Sequence, residues 1–113
     1  MNRRVALYGA TGHTGRFIAA EMERRGWQSI LGGRDLSRLA PLAARHSAEA
    51  RQADISKPAE LDALLVGADA VINAAGPFGD TAPHLIEAAL RAGIPYFDVT
   101  AEPFVAQELF ENY

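Results

Sequence analysis

Short apolar runs alternate along this chain with segments whose apolar residues recur every three to four positions. Arg4 to Tyr8 (RVALY) reads as a buried strand. Thr14 to Arg25 reads as a helix, with Phe17, Ile18 and Met22 on or near one face and Gly26 as its stop. Gln28 to Leu31 is a second strand, and Leu36, Leu39, Leu42 and Ala43 mark a helix over Leu36 to His46. Pro41 is awkward there, because it lacks a backbone donor and clashes one turn back, so that helix starts late or kinks. Ala50 to Ala53 is a weak third strand. Ser56 caps a helix with Pro58 in its first turn, running to about Val66. Ala70 to Asn73 is a fourth strand. Thr81 caps a helix through Arg91, with Pro83 in the first turn and Gly93 just past the end. Tyr96 to Val99 is a fifth strand, and Glu102 to Phe110 a last helix.

Strands separated by helices need crossover connections. They imply an α/β, doubly wound parallel sheet with helices on both faces, and the natural strand order is 3-2-1-4-5. Ligands of such sheets bind outside the carboxyl ends of the strands, at the switch between the first and fourth. A fifth strand at an open edge, with no sixth strand after it, leads us to expect the N-terminal portion of a longer protein. An exposed edge or helix face would then offer a homodimer contact.

Composition sharpens this only in places. The 113 residues are 49% hydrophobic and contain no cysteine, which excludes disulfide and thiolate chemistry and fits a reducing, cytoplasmic compartment. No apolar run approaches the ~20 residues of a bilayer span, so no membrane partner is expected. The net charge is −3, an unfavourable balance for general nucleic-acid binding. Residues 1–51 carry nine arginines against four acids, whereas residues 52–113 carry two basic residues against ten acids. The basic first half suits a small anionic ligand. Arg24, Arg25, Arg45 and Arg51 are read as solvated helix faces.

The strongest local signal is Gly9-Ala10-Thr11-Gly12-His13-Thr14-Gly15, a G-x-x-G-x-x-G loop between strand and helix. Gly9 permits the tight turn, Gly12 lets backbone approach a pyrophosphate, and Gly15 lets helix and strand pack closely. The helix N-terminus then presents free N–H groups to the phosphates, with Thr11 and Thr14 adding hydroxyls. His13 flanks the pyrophosphate or is simply exposed.

Gly32-Gly33-Arg34-Asp35 follows the second strand. Arg34 lies 25 residues after Gly9, with Arg38 one helical turn on, and a guanidinium fits a 2′-phosphate by bidentate bonding. This favours NADP, with NAD admitted if Asp35 faces the ribose instead of capping the next helix. Asp54 accepts from an adenine amino group, with the Ile55 backbone on the ring edge, or is an ordinary loop acid. Asn73, Ala74, Ala75, Gly76, Pro77 and Phe78 let a ribose or nicotinamide lie against backbone, or form a plain strand-to-helix turn. Asp98, Thr100 and Glu102 project toward the crevice mouth as polar ligands, a hinge or helix caps. No Ser-His-Asp set, phosphate-loop lysine or Tyr-x-x-x-Lys pair is present, His46 and His84 have no metal-ligand companions, and no catalytic residue is assigned.

The segments VALYGATGHTG, GGRDLSRL, VINAAGPF and PHLIEAALRAGIPYFDVTAE together resemble the NAD(P)-binding domain of the saccharopine dehydrogenase-like family, over nearly the whole chain. That family includes saccharopine reductases and trans-acting enoyl reductases. The resemblance implies a Rossmann domain followed by a substrate domain that this chain lacks. The nicotinamide would be oriented for hydride transfer to an imine or enone-type acceptor, and this portion alone would be inactive. It also implies pyrophosphate contacts from Gly9, Thr11, Gly12, His13, Thr14 and Gly15. Arg34, Asp35 and Arg38 would surround the adenosine 2′ position, and Asn73 to Phe78 would line the nicotinamide half. Two departures stand out: Asp35 replaces a frequent small hydroxyl residue, and Ala101 a usual glycine. Two other classes fit the same residues, a non-catalytic NAD(P)H-sensing domain and a structural dimerisation module with a vestigial crevice.

Overall fold

The computed structural model describes residues 3–76 and 78–98. In chain order the elements are β1 (Arg4–Tyr8), α1 (His13–Arg24), β2 (Gln28–Gly33), α2 (Leu36–Arg45) and β3 (Glu49–Gln52), followed by α3 (Pro58–Leu64), β4 (Ala70–Asn73), α4 (Phe78–Ala92) and β5 (Tyr96–Asp98). Pro77, Thr100, Glu102 and the expected helix Glu102 to Phe110 lie outside the described residues.

All strands run parallel in the order β3-β2-β1-β4-β5, as the alternation of strands and helices predicts. Side chains alternate across β1, so each face of the sheet has its own core. Val5 and Leu7 pack with Ile18 and Met22 of α1 and Leu39 and Leu42 of α2. Ala6 and Tyr8 pack with Leu61 and Leu64 of α3 and Leu85 and Ala88 of α4. Each buried leucine contributes roughly 1.5–3 kcal/mol. The basic half of the sequence thus forms the β3-β2-β1 flank with the α1/α2 face. The described residues of the acidic half form the β4-β5 flank with the α3/α4 face. No helix among the described residues is long and apolar enough to cross a membrane.

Several local expectations change. The buried stripe of α1 is Gly15, Ile18, Ala19 and Met22, and Phe17 falls outside it at 56% exposure. Helix α2 starts at Leu36 and runs through Pro41. The proline lies on the exposed face, where the carbonyl it leaves unpaired can meet water. Ser56 does not cap α3. Lys57 is the N-cap and its side chain makes no capping hydrogen bond, while Ser56 is engaged by Asp54. Helix α4 begins at Phe78, so Thr81 lies inside its first turn and Pro83 beyond it. Arg51 is not on a helix. It stands in β3, and its Nη1 donates to the carbonyls of Ala63 (3.2 Å), Leu64 (2.9 Å) and Val66 (2.8 Å), satisfying the end of α3.

Candidate functional site

Parallel strands deliver their following turns to one edge of the sheet, and here four turns meet there. The β1 turn begins with Gly9 at φ +82°, its N–H donating to the Gly32 carbonyl (3.0 Å). A Cβ on Gly9 would lie 2.7 Å from the Ala75 nitrogen, so the β1 and β4 turns abut backbone to backbone. A Cβ on Gly15 would lie 2.1 Å from the Gly9 oxygen, which is the close helix–strand approach. Gly12 differs. Its added Cβ would meet only the Gly9 oxygen, at 3.5 Å, so the fold's own packing does not demand a glycine there.

Gly12 is also the N-cap of α1 and offers no side-chain bond. Among the described residues, no acceptor engages the amides of His13, Thr14 or Gly15. Open space thus faces unpaired donors at the positive end of a helix, an arrangement that fits a pyrophosphate. Thr11 and Thr14 are half-buried beside it and His13 is exposed. Arg16 Nε donates to the Thr11 carbonyl (2.9 Å), bracing the loop from the helix side.

After β2, Arg34 and Arg38 are exposed, and their guanidiniums make no hydrogen bond or contact ion pair among the described residues. Asp35 between them caps α2. Its Oδ1 accepts from the Ser37 amide (3.0 Å) and hydroxyl (2.6 Å), and the hydroxyl bond is the main reason its carboxyl sits below the usual range. Gln52 at the end of β3 donates from Nε2 to the Arg34 carbonyl (2.9 Å), pinning the turn.

After β3, Asp54 Oδ1 accepts from the Ser56 amide (2.9 Å) and hydroxyl (2.7 Å). These bonds, the amide first, hold its carboxyl low, and the Lys57 charge and then the Arg34 charge add to the effect. The Asp54 N–H is taken by Glu60 Oε1 (2.9 Å). Ile55 is half-buried against the α3/α4 core. Below them the Tyr8 hydroxyl donates to the Ala53 carbonyl (3.1 Å), and burial pushes its pKa up.

After β4, Asn73 is fully buried. Its Nδ2 donates to the Thr81 hydroxyl (2.9 Å) and the Tyr96 hydroxyl (3.1 Å), and its Oδ1 accepts from the Ala75 amide (2.9 Å). Thr81 passes its proton to the Ala75 carbonyl (2.7 Å), and Tyr96 to Asp98 Oδ2 (3.0 Å). Ala74 and Ala75 are half-buried and Gly76 is exposed. Pro77 lies outside the described residues and Phe78 opens α4.

The structure therefore brings Gly9 to Gly15, Arg34 to Arg38, Asp54, Ile55 and Asn73 to Gly76 to one edge. Reading the sequence missed Tyr8, Gln52, Thr81 and Tyr96 as its supports. A polar asparagine ending an apolar strand was the available sign that buried partners had to exist.

A family profile described as NAD(P)H-binding matches residues 9–110. The chain belongs to this NAD(P)H-binding family. A Mycobacterium tuberculosis protein bearing the provisional name trans-acting enoyl reductase is 33% identical to the NAD(P)H-binding chain over 96% of its length. The chain spans only 28% of the length of that relative. An NADPH-dependent quinone oxidoreductase of Escherichia coli, solved with NADPH, is 28% identical with a TM-score of 0.67. That match covers 81% of this chain and 35% of the oxidoreductase. Saccharopine dehydrogenase (L-Glu forming) of Saccharomyces cerevisiae superposes with a TM-score of 0.78 at 21% identity, covering 96% of this chain and 24% of the enzyme. This last likeness shows the fold alone. The NAD(P)H-binding domain thus sits among NAD(P)-dependent reductases.

Proposed function

We propose that this chain is the cofactor domain of an NADP-preferring reductase of the saccharopine dehydrogenase-like group. It would present nicotinamide to an imine or enone-type acceptor held by the part of the protein that the chain does not span. The observation that carries the cofactor preference is the pair of exposed guanidiniums, Arg34 and Arg38, which make no side-chain hydrogen bond or contact ion pair among the described residues, beside an Asp35 already engaged as a helix cap. Five donors on each guanidinium suit the 2′-phosphate of NADP, and a carboxylate bound to Ser37 competes poorly for a ribose hydroxyl. The trans-acting enoyl reductase name of the mycobacterial relative supports the reductase class.

In this reading the amides of His13, Thr14 and Gly15 bind the pyrophosphate across Gly12, with Thr11 beside them. Arg34 and Arg38 orient the adenosine end, and Asp54 and Ile55 border the adenine. The small residues Ala74, Ala75 and Gly76, followed by Pro77 and Phe78, admit the nicotinamide half, which supplies the hydride when bound. Asn73 acts from beneath, since both of its amide protons are committed within the protein.

Calorimetric titration of the protein with NADPH and NADH tests this. NADPH should bind more tightly. Arg34→Ala should weaken NADPH by about 10–100-fold, the value of a charge-assisted contact, and leave NADH within about twofold. Equal losses for both cofactors, or no binding of either at millimolar concentration, would contradict the proposal.

A further inference from the structure

The buried polar cluster under the β4–α4 turn has a fixed direction. The Ala75 amide, a donor, points at Asn73 Oδ1, which settles which end of the Asn73 side chain carries the hydrogens. Both Nδ2 hydrogens then go to hydroxyls, Thr81 and Tyr96, and each hydroxyl hands its own proton onward. The Thr81 proton ends on the Ala75 carbonyl and the Tyr96 proton on Asp98. No member can turn around without leaving two neighbours donor-to-donor or acceptor-to-acceptor, so the chain polarises in one sense only. Burial pushes the Tyr96 phenol up to about 12, so it remains a donor across the working pH range.

The two ends of the cluster have different consequences. At one end, both backbone polar groups of Ala75 are consumed, one by Asn73 and one by Thr81. The same residue is the backbone against which Gly9 rests with no room for a Cβ. At the other end, Tyr96 ties the cluster to β5, registered beside β4 with Asn73 opposite Asp98. Neither Thr81 nor Tyr96 belongs to the glycine loop or to the Arg34–Arg38 turn.

We propose that Asn73, Thr81 and Tyr96 are positioning residues that lock Ala75 against Gly9, and that they govern how the nicotinamide half of the dinucleotide is held while leaving the adenosine half untouched. This rests on the dinucleotide reading above and assigns a role to the side chains beneath that site.

The test uses two probes, NADPH and adenosine 2′,5′-bisphosphate, against wild type, Thr81→Val, Thr81→Ser and Tyr96→Phe. Thr81→Val keeps the shape and removes the hydroxyl. Thr81→Ser keeps the hydroxyl. Tyr96→Phe keeps the ring at a half-buried position and provides a second, milder removal. Thr81→Val and Tyr96→Phe should each weaken NADPH about tenfold, equivalent to about 1.4 kcal/mol, with the bisphosphate held within about twofold. Thr81→Ser should restore NADPH to within about threefold of wild type. Unchanged NADPH affinity in both hydroxyl-deleted variants overturns the inference. So does an equal loss of both probes, because the cluster would then only be holding the fold together. Wild type that binds the bisphosphate and NADPH while the variants behave in these ways leaves the cofactor reading standing. Wild type that binds neither probe nor NADH removes that reading and this inference with it.

Discussion

The three loop glycines occupy different surroundings, and alanine at two of them should separate folding from binding. At Gly15 the added carbon would lie 2.1 Å from the Gly9 oxygen, 2.8 Å from Ala10 Cα and 2.9 Å from the Ala10 carbonyl carbon. All three are backbone atoms, and Gly9 cannot retreat because it already rests on Ala75. Overpacking of this kind costs about 1–3 kcal/mol. At roughly 4–8 °C per kcal/mol for a domain near this size, the midpoint of Gly15→Ala should fall by about 5–20 °C. At Gly12 the same carbon meets one atom at 3.5 Å, and φ is −73°. The loss there is that of replacing a glycine N-cap by alanine, at most about 1 kcal/mol. The new methyl would nevertheless stand between the open amides and the phosphates. Loss of even one charge-assisted bond, about 1.5–3 kcal/mol, should weaken NADPH at least tenfold. Differential scanning fluorimetry and calorimetric titration read the two effects separately. If Gly12→Ala melts as early as Gly15→Ala while binding NADPH like wild type, the division of roles is wrong.

Two further outcomes follow from the local bonding. Asp35→Ala removes the α2 cap and should cost about 1 kcal/mol in chemical denaturation, with NADH affinity unchanged; a clear fall in NADH affinity would identify Asp35 as a ribose ligand. Glu21 carries hydrogen bonds from Arg24 and Arg25, the Arg24 bond foremost, and these lower its pKa from 4.5 to about 2. Its contribution is therefore present above pH 4.5 and lost as pH falls through about 2. The stability gap between wild type and Glu21→Gln should shrink over that window, and a gap independent of pH would rule out the ion pairs as its source.

The strand order and the positions of the turns that follow β1, β2, β3 and β4 were legible because the periodicities are local. β1 and β4 match their expected limits residue for residue. The misreadings have tertiary causes. β2 continues through Gly32 and Gly33, residues of low strand propensity, because the parallel ladder pairs them with Arg51 and Gln52 of β3. Thr81 has the look of a helix cap, yet its hydroxyl is claimed by Asn73 and Ala75 across the turn. Arg51 resembles a surface charge in sequence, and only the packing of α3 beside β3 gives it three carbonyls. At the site, the glycine loop announces itself by spacing. The Asn73 cluster is built from residues up to 23 positions apart and has no local signature.

Among the described residues, an excess of arginines on the β3-β2-β1 side and of carboxylates on the β4-β5 side gives the domain an uneven charge distribution. A dinucleotide is itself lopsided when its adenosine carries an additional phosphate. In the dinucleotide reading proposed above, such a molecule approaching from bulk water would experience a torque as well as an attraction, and would arrive adenosine-first on the Arg34 side. Added electrolyte would blur that alignment at distance while leaving the contacts, once made, largely intact.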